Sequence, residues 1–170
     1  STFGKALPDI LVKAFGVRKV ILLDPHDSHL KHYFDPAADD ISAIYLLTDY
    51  LERNVFDTQS KENSVIVFAD AGAAKRYEMV ASLLNLPEAY IAKNRSDNNE
   101  KAKANRLVGE VKGKFCLMVD DEILTGGTVI SDTKLLLEEG ASEVCMMAVH
   151  PIFADKKCSD REVIKRLEDS

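Results

Sequence analysis

The sequence predicts an α/β domain, a mostly parallel sheet flanked by helices. Short apolar runs alternate with amphipathic stretches, the pattern of βαβ units. The runs are almost continuously hydrophobic, as strands buried on both faces must be. Turn and cap residues punctuate them, and Gly140 stands where a helix would close.

Taken in order, the spacing predicts a helix over 5–15 and a strand over 19–24 (KVILLD). A helix over 41–52 and a strand over 64–69 (SVIVFA) come next, followed by a helix over 74–84 and a strand over 89–92. The stretch KNRSDNNEKAKANR, 93–106, is polar throughout and lacks an apolar face, so it is expected to be a mobile loop. A strand over 114–120 (KFCLMVD), a helix over 128–139, a strand over 143–149 (EVCMMAV) and a helix over 161–167 complete the pattern.

At 170 residues and 46% hydrophobic, the chain suffices for one well-cored domain plus a remnant, and is too short for two. Its 28 acidic and 22 basic residues leave a formal charge of -6, the wrong sign for a general nucleic-acid binder. A polyanionic ligand would therefore be held locally, by loops, metal or a few cations. Three widely spaced cysteines, Cys116, Cys145 and Cys158, suggest reduced thiols and a cytoplasmic protein. No run approaches the roughly 20 apolar residues of a membrane span, and the first residues do not read as a signal peptide.

Residues 115–128 read FCLMVDDEILTGGT: a buried strand, adjacent carboxylates, three further residues, then Thr-Gly-Gly-Thr opening a helix. Ligands of open α/β sheets bind beyond the carboxyl ends of strands, where Asp120 and Asp121 fall. Neighbouring carboxylates can accept hydrogen bonds from two vicinal hydroxyls, such as a ribose 2′,3′-diol. Gly126 and Gly127 allow a tight turn that brings backbone N–H groups to a ligand, and the following helix start attracts negative charge. Thr125 and Thr128 add hydroxyls. The unit suits a sugar bearing a phosphate; the bland alternative is a solvated acidic turn with a Thr cap.

The string is similar to the phosphoribosyl-diphosphate loop shared by type I phosphoribosyltransferases and PRPP synthetases. Four further segments resemble the synthetases in particular. VFADAGAAKR (67–76) is similar to their strand-Pro-Asp-Ala-Gly-Gly-x-x-Arg motif, and DPHDSHLKHYFD (24–35) to their Asp-Leu-His motif with its trailing Phe-Asp. IAKNR (91–95) resembles their Lys-x-Arg on a flexible catalytic loop, and LVGEVKGK (107–114) the strand and turn that follow it. The chain is thus identified as resembling the C-terminal portion of a ribose-phosphate diphosphokinase, with a type I phosphoribosyltransferase-like fold over 36–170 and the remnant of a preceding domain over 1–35.

That resemblance implies a transferase, a kinase of nucleotide biosynthesis, which moves the diphosphoryl group of Mg-ATP onto the anomeric hydroxyl of ribose 5-phosphate and makes PRPP. It implies that Asp120 and Asp121 hold the diol, and that Thr125, Gly126, Gly127 and Thr128 wrap the 5-phosphate. It further implies that His26 and Asp70 place Mg2+, that Lys93 and Arg95 close on the transferring group, and that the protein is a homo-oligomer. Without the resemblance, His26, His29 and His32 would read as solvated or as a zinc site, Asp70 as a turn or N-cap residue, and Lys93 and Arg95 as loop charges. Leu124 stands where the family has an acidic residue, Pro25 where it has Leu, and Ala73 where it has Gly. Residues that hold adenine in the family come largely from a first half that this sequence does not span, so this portion alone is expected to be inactive. Two alternatives stay open: a type I phosphoribosyltransferase, and a non-catalytic regulatory protein associated with PRPP synthetase.

Overall fold

Alternation of side chains along a strand gives each strand of a covered sheet two apolar faces to bury, and this chain supplies both. A computed structural model describes residues 2–92, 106–155 and 159–169. It contains two compact units, one ending at Ala43 and one beginning at Ile44.

The first unit opens with helix α1 (Thr2–Asp9), which widens into a π turn over Ile10–Ala14. A short strand β1 (Ile21–Leu23) pairs in parallel with β2 (Asp39–Ile41), and a 3-10 turn over Ser28–Tyr33 lies between them. The second strand was not expected: its residues are Asp-Asp-Ile, all exposed, with no apolar alternation to mark them. Ile41 therefore belongs to a strand and not to the helix expected over 41–52. Asp24 fixes the exit from this pair by accepting the Ala43 amide at 2.6 Å.

The second unit begins with α2 (Ile44–Tyr50), extended by a π turn over Leu51–Val55. Next come β3 (Ser64–Phe68), α3 (Ala71–Leu84), β4 (Glu88–Ala92), β5 (Arg106–Val108), β6 (Phe115–Ile123), α4 (Gly127–Glu138), β7 (Glu143–Pro151) and α5 (Asp160–Glu168). The strands form one sheet in the order β5-β4-β3-β6-β7. All neighbours are parallel except β5, which runs antiparallel to β4 at one edge. The mostly parallel sheet flanked by helices is thus the architecture found. Of the mobile loop expected over 93–106, residues 93–105 lie outside the described residues, and Arg106 begins β5 instead.

On one face of the sheet Ile66, Phe68, Leu117 and Val119 pack with Tyr77, Val80 and Leu84 of α3 and with Leu51. On the other, Val65, Val67, Cys116 and Met118 pack with Leu136 of α4 and with Val111. Odd and even residues of β3 and β6 thus divide between two cores. Gly140, with φ of 90°, ends α4 as expected; its amide donates to the Leu137 carbonyl, and that of Ala141 to the Leu136 carbonyl.

Leu117 is fully buried at the centre of the sheet. Leu117→Ala should cost about 3 kcal/mol, which lowers the thermal midpoint by roughly 9 °C in a domain of this size, as differential scanning calorimetry would read.

Candidate functional site

The candidate site is built where β3 and β6 run out of cover at their carboxyl ends. Val67 faces Met118 in the parallel register, so Asp70 and the Asp120–Asp121 pair reach the same edge of the sheet. β6 does not stop at Asp120 as expected. It continues to Ile123, with Glu122 opposite His150 and Ile123 opposite Pro151, so the acidic residues belong to the strand itself. The apolar pattern ended too early to reveal this, because pairing with β7 carries the strand on through polar residues.

Asp121 is buried at 5% exposure, and an ion pair with Arg76 of α3 compensates its charge. Asp120 is half-buried and accepts the Asp121 amide at 2.9 Å. Burial raises the Asp120 carboxyl to about 6; the Asp121 amide bond opposes this, while Asp121 and the charge of Asp70 reinforce it. The two adjacent carboxylates thus occupy unlike environments.

Asp70 is the N-cap of α3: its Oδ1 accepts the amides of Gly72 and Ala73, both at 2.9 Å. The capping alternative is therefore realised, and the carboxylate also stands exposed at the rim.

Thr125 to Thr128 form the turn between β6 and α4. Gly126 adopts φ of +75° as the N-cap, a conformation that β-carbon-bearing residues avoid. Its carbonyl accepts the Ile130 amide at 2.9 Å, and the Gly127 amide reaches the Thr125 hydroxyl at 3.4 Å. Thr125, Gly127 and Thr128 are exposed, as is Leu124 at 44%, while Gly126 between them is buried. An amide-lined turn beside two carboxylates can take an anion and a diol together.

His26 belongs to the first unit and is exposed. His29 and His32 are also exposed, their ring centroids 6.5 Å apart on the 3-10 turn. Among the described residues no group of three or more His, Cys, Asp or Glu is disposed to hold a metal, so the zinc alternative finds no ligand set there. Mg2+ asks for less, one or two carboxylates completed by waters and phosphate oxygens, and the rim carboxylate of Asp70 has that chemistry. Lys93 and Arg95 lie outside the described residues. Arg76, within the VFADAGAAKR segment, is a site residue that the sequence pattern does not single out. Its signal was a cation six residues after Asp70, on a helix that starts at the site.

The sequence profile of the phosphoribosyl transferase domain matches residues 38–167. A ribose-phosphate pyrophosphokinase from Mycoplasma genitalium is 41% identical over 150 residues, covering 88% of this chain and 43% of the relative. One from Corynebacterium efficiens is 35% identical over 169 residues, covering 95% of this chain and 50% of the relative. The crystal structure of phosphoribosylpyrophosphate synthetase from Mycobacterium smegmatis superposes with a TM-score of 0.75 at 34% identity, over 91% of this chain and 48% of that one. The chain spans about half the length of the relatives it matches.

The Asp120 environment has a consequence for stability. Its carboxyl titrates near 6 in the folded protein against 3.8 as the ordinary value, so the native state holds this proton more tightly than the unfolded chain. The contribution of Asp120 to stability therefore falls as pH rises from about 4 to about 6 and stays low above that. Urea denaturation at a series of pH values should show Asp120→Asn gaining on the wild type by about 1–2 kcal/mol over that interval, a figure reduced for the partial exposure of the group.

Proposed function

Since the chain belongs to the phosphoribosyl transferase domain family, we propose that residues 120–128 bind ribose 5-phosphate and that the chain is the sugar-binding part of a ribose-phosphate diphosphokinase. The observation that carries this reading is the union of two features at one sheet edge: the Asp120–Asp121 pair and the positive-φ turn at Gly126 that opens α4. The pyrophosphokinase relatives, with 35–41% identity, support the choice of activity.

In the proposed reaction the anomeric oxygen of ribose 5-phosphate forms a bond to the β-phosphorus of ATP, the bond from that phosphorus to the α,β-bridging oxygen breaks, and AMP leaves. The hydroxyl proton is lost, and the products are PRPP and AMP. Phosphoryl transfer asks a protein chiefly for positioning and for charge compensation. Asp120 and Asp121 orient the sugar through its diol, and Arg76 keeps Asp121 in place. The amides at 126–128 and the hydroxyls of Thr125 and Thr128 receive the 5-phosphate. The rim carboxylate of Asp70 would hold Mg2+, which would neutralise charge on the ATP phosphates. Lys93 and Arg95 would supply positive charge to the transferring group, the role that the resemblance implies for them. No helix among the described residues is long and apolar enough to cross a membrane. A cytoplasmic homo-oligomer that binds ATP and no nucleic acid completes the proposal.

Calorimetric titration with ribose 5-phosphate tests the site. Asp120→Asn/Asp121→Asn should lose two charge-assisted hydrogen bonds, about 3 kcal/mol, or more than a hundredfold in affinity. Equal binding by the folded double variant and the wild type overturns the assignment.

Leu124 is the best support for the regulatory alternative, since an apolar side chain at the rim can neither bond a sugar hydroxyl nor carry a proton, but the pyrophosphokinase relatives favour the enzyme. In the full-length protein, Leu124→Asp should change turnover by no more than about tenfold, or 1.4 kcal/mol in the barrier, measured as AMP release. A rise from background to a kinase-like rate, on the order of 1 per second, would favour the regulatory alternative instead.

A further inference from the structure

Helix α5 reaches the turn that precedes α4 through two neighbouring side chains. The Arg166 guanidinium donates through Nη2 to the Thr125 carbonyl oxygen at 3.3 Å and to Asp155 Oδ2 at 3.0 Å. Leu167 packs on Gly126 so closely that a β-carbon there would lie 3.1 Å from Leu167 Cδ2 and 3.2 Å from Cγ. The helix that carries both is well anchored. Ser159 and Glu162 form a reciprocal capping box at its start, and Val163 is fully buried.

A trans peptide is planar, so a carbonyl and the N–H of the following residue point in opposite directions. Tethering the Thr125 carbonyl therefore also sets the direction of the Gly126 N–H, away from Arg166. Asp155, with its side chain at 14% exposure, holds the guanidinium in place; Arg166 itself is 47% exposed. A flexible side chain is thereby fixed between a carboxylate and the carbonyl it orients.

We propose that Arg166 is a positioning residue for the anion-binding turn. By holding the Thr125 carbonyl toward α5, it turns the Gly126 amide to the side of the turn away from α5; Gly126 itself is buried, and the exposed Gly127 and Thr128 follow it. Leu167 crowds the turn from the same helix, so a β-carbon at position 126 would require the Leu167 side chain to give by a few tenths of an ångström. The inference rests on the reading of 125–128 as a phosphate site, and it adds a determinant from the last helix.

The test combines ligand-free spectroscopy with binding. In Arg166→Met, the Gly126 and Gly127 amide resonances in a 15N-correlated NMR spectrum should move, and the affinity for ribose 5-phosphate should fall at least tenfold with the thermal midpoint nearly unchanged. Arg166→Lys retains a donor for the carbonyl and should recover more than half of the loss. Should Arg166→Met fail to fold, Asp155→Asn, which releases the guanidinium, is read by the same two measurements. Unmoved Gly126 and Gly127 resonances overturn the proposal, and so does an affinity within twofold of a wild type that binds. A wild type that binds no ribose 5-phosphate defeats the sugar-site reading, while the ligand-free spectra still decide the role of Arg166.

Discussion

A strand covered on both faces cannot carry unpaired polar side chains until its cover ends, and β6 obeys that constraint residue by residue. From Phe115 to Val119 every position is buried and apolar, divided between two cores. The first carboxylate comes at Asp120, where the cover thins, and the only deeply buried one beside it, Asp121, meets a guanidinium. The remainder of the site follows from this limit. The carboxylates sit where they do because they could sit no earlier, and the chain must then turn back over the sheet through a tight, amide-rich corner.

The burial of Asp121 explains why a cation must come from α3. A buried carboxylate without compensation would be costly, and the helix beginning at Asp70 places Arg76 within reach. One residue, Asp70, thus serves the site indirectly as well: by capping α3 it fixes the first turn of the helix that carries Arg76. Local capping, ion pairing and site geometry are therefore coupled through a single helix.

Much of this was legible in the sequence because burial writes itself as hydrophobicity. β3 and β6 were apparent from their apolar runs, and the turn at 125–128 from its glycines. What escaped depended on pairing with distant residues. β2 is polar and exposed and exists because β1 lies beside it. The last three residues of β6 are strand because β7 extends as far as Pro151. Arg76 and Arg166 are ordinary helix-surface cations by local pattern, and only the fold brings one to Asp121 and the other to the Thr125 carbonyl. The roles of His26, Asp70, Lys93 and Arg95 came from resemblance alone, since isolated polar residues have no periodicity to read.

Leu124 has a consequence of a different kind. Its side chain is 44% exposed, outside both cores, although it follows a strand on which almost every position is constrained by packing. Replacement there disturbs little that holds the domain together. The rim of the site can therefore be re-tuned in evolution almost independently of folding, and differences in selectivity among related chains can accumulate at this residue while the carboxylates and the turn stay fixed.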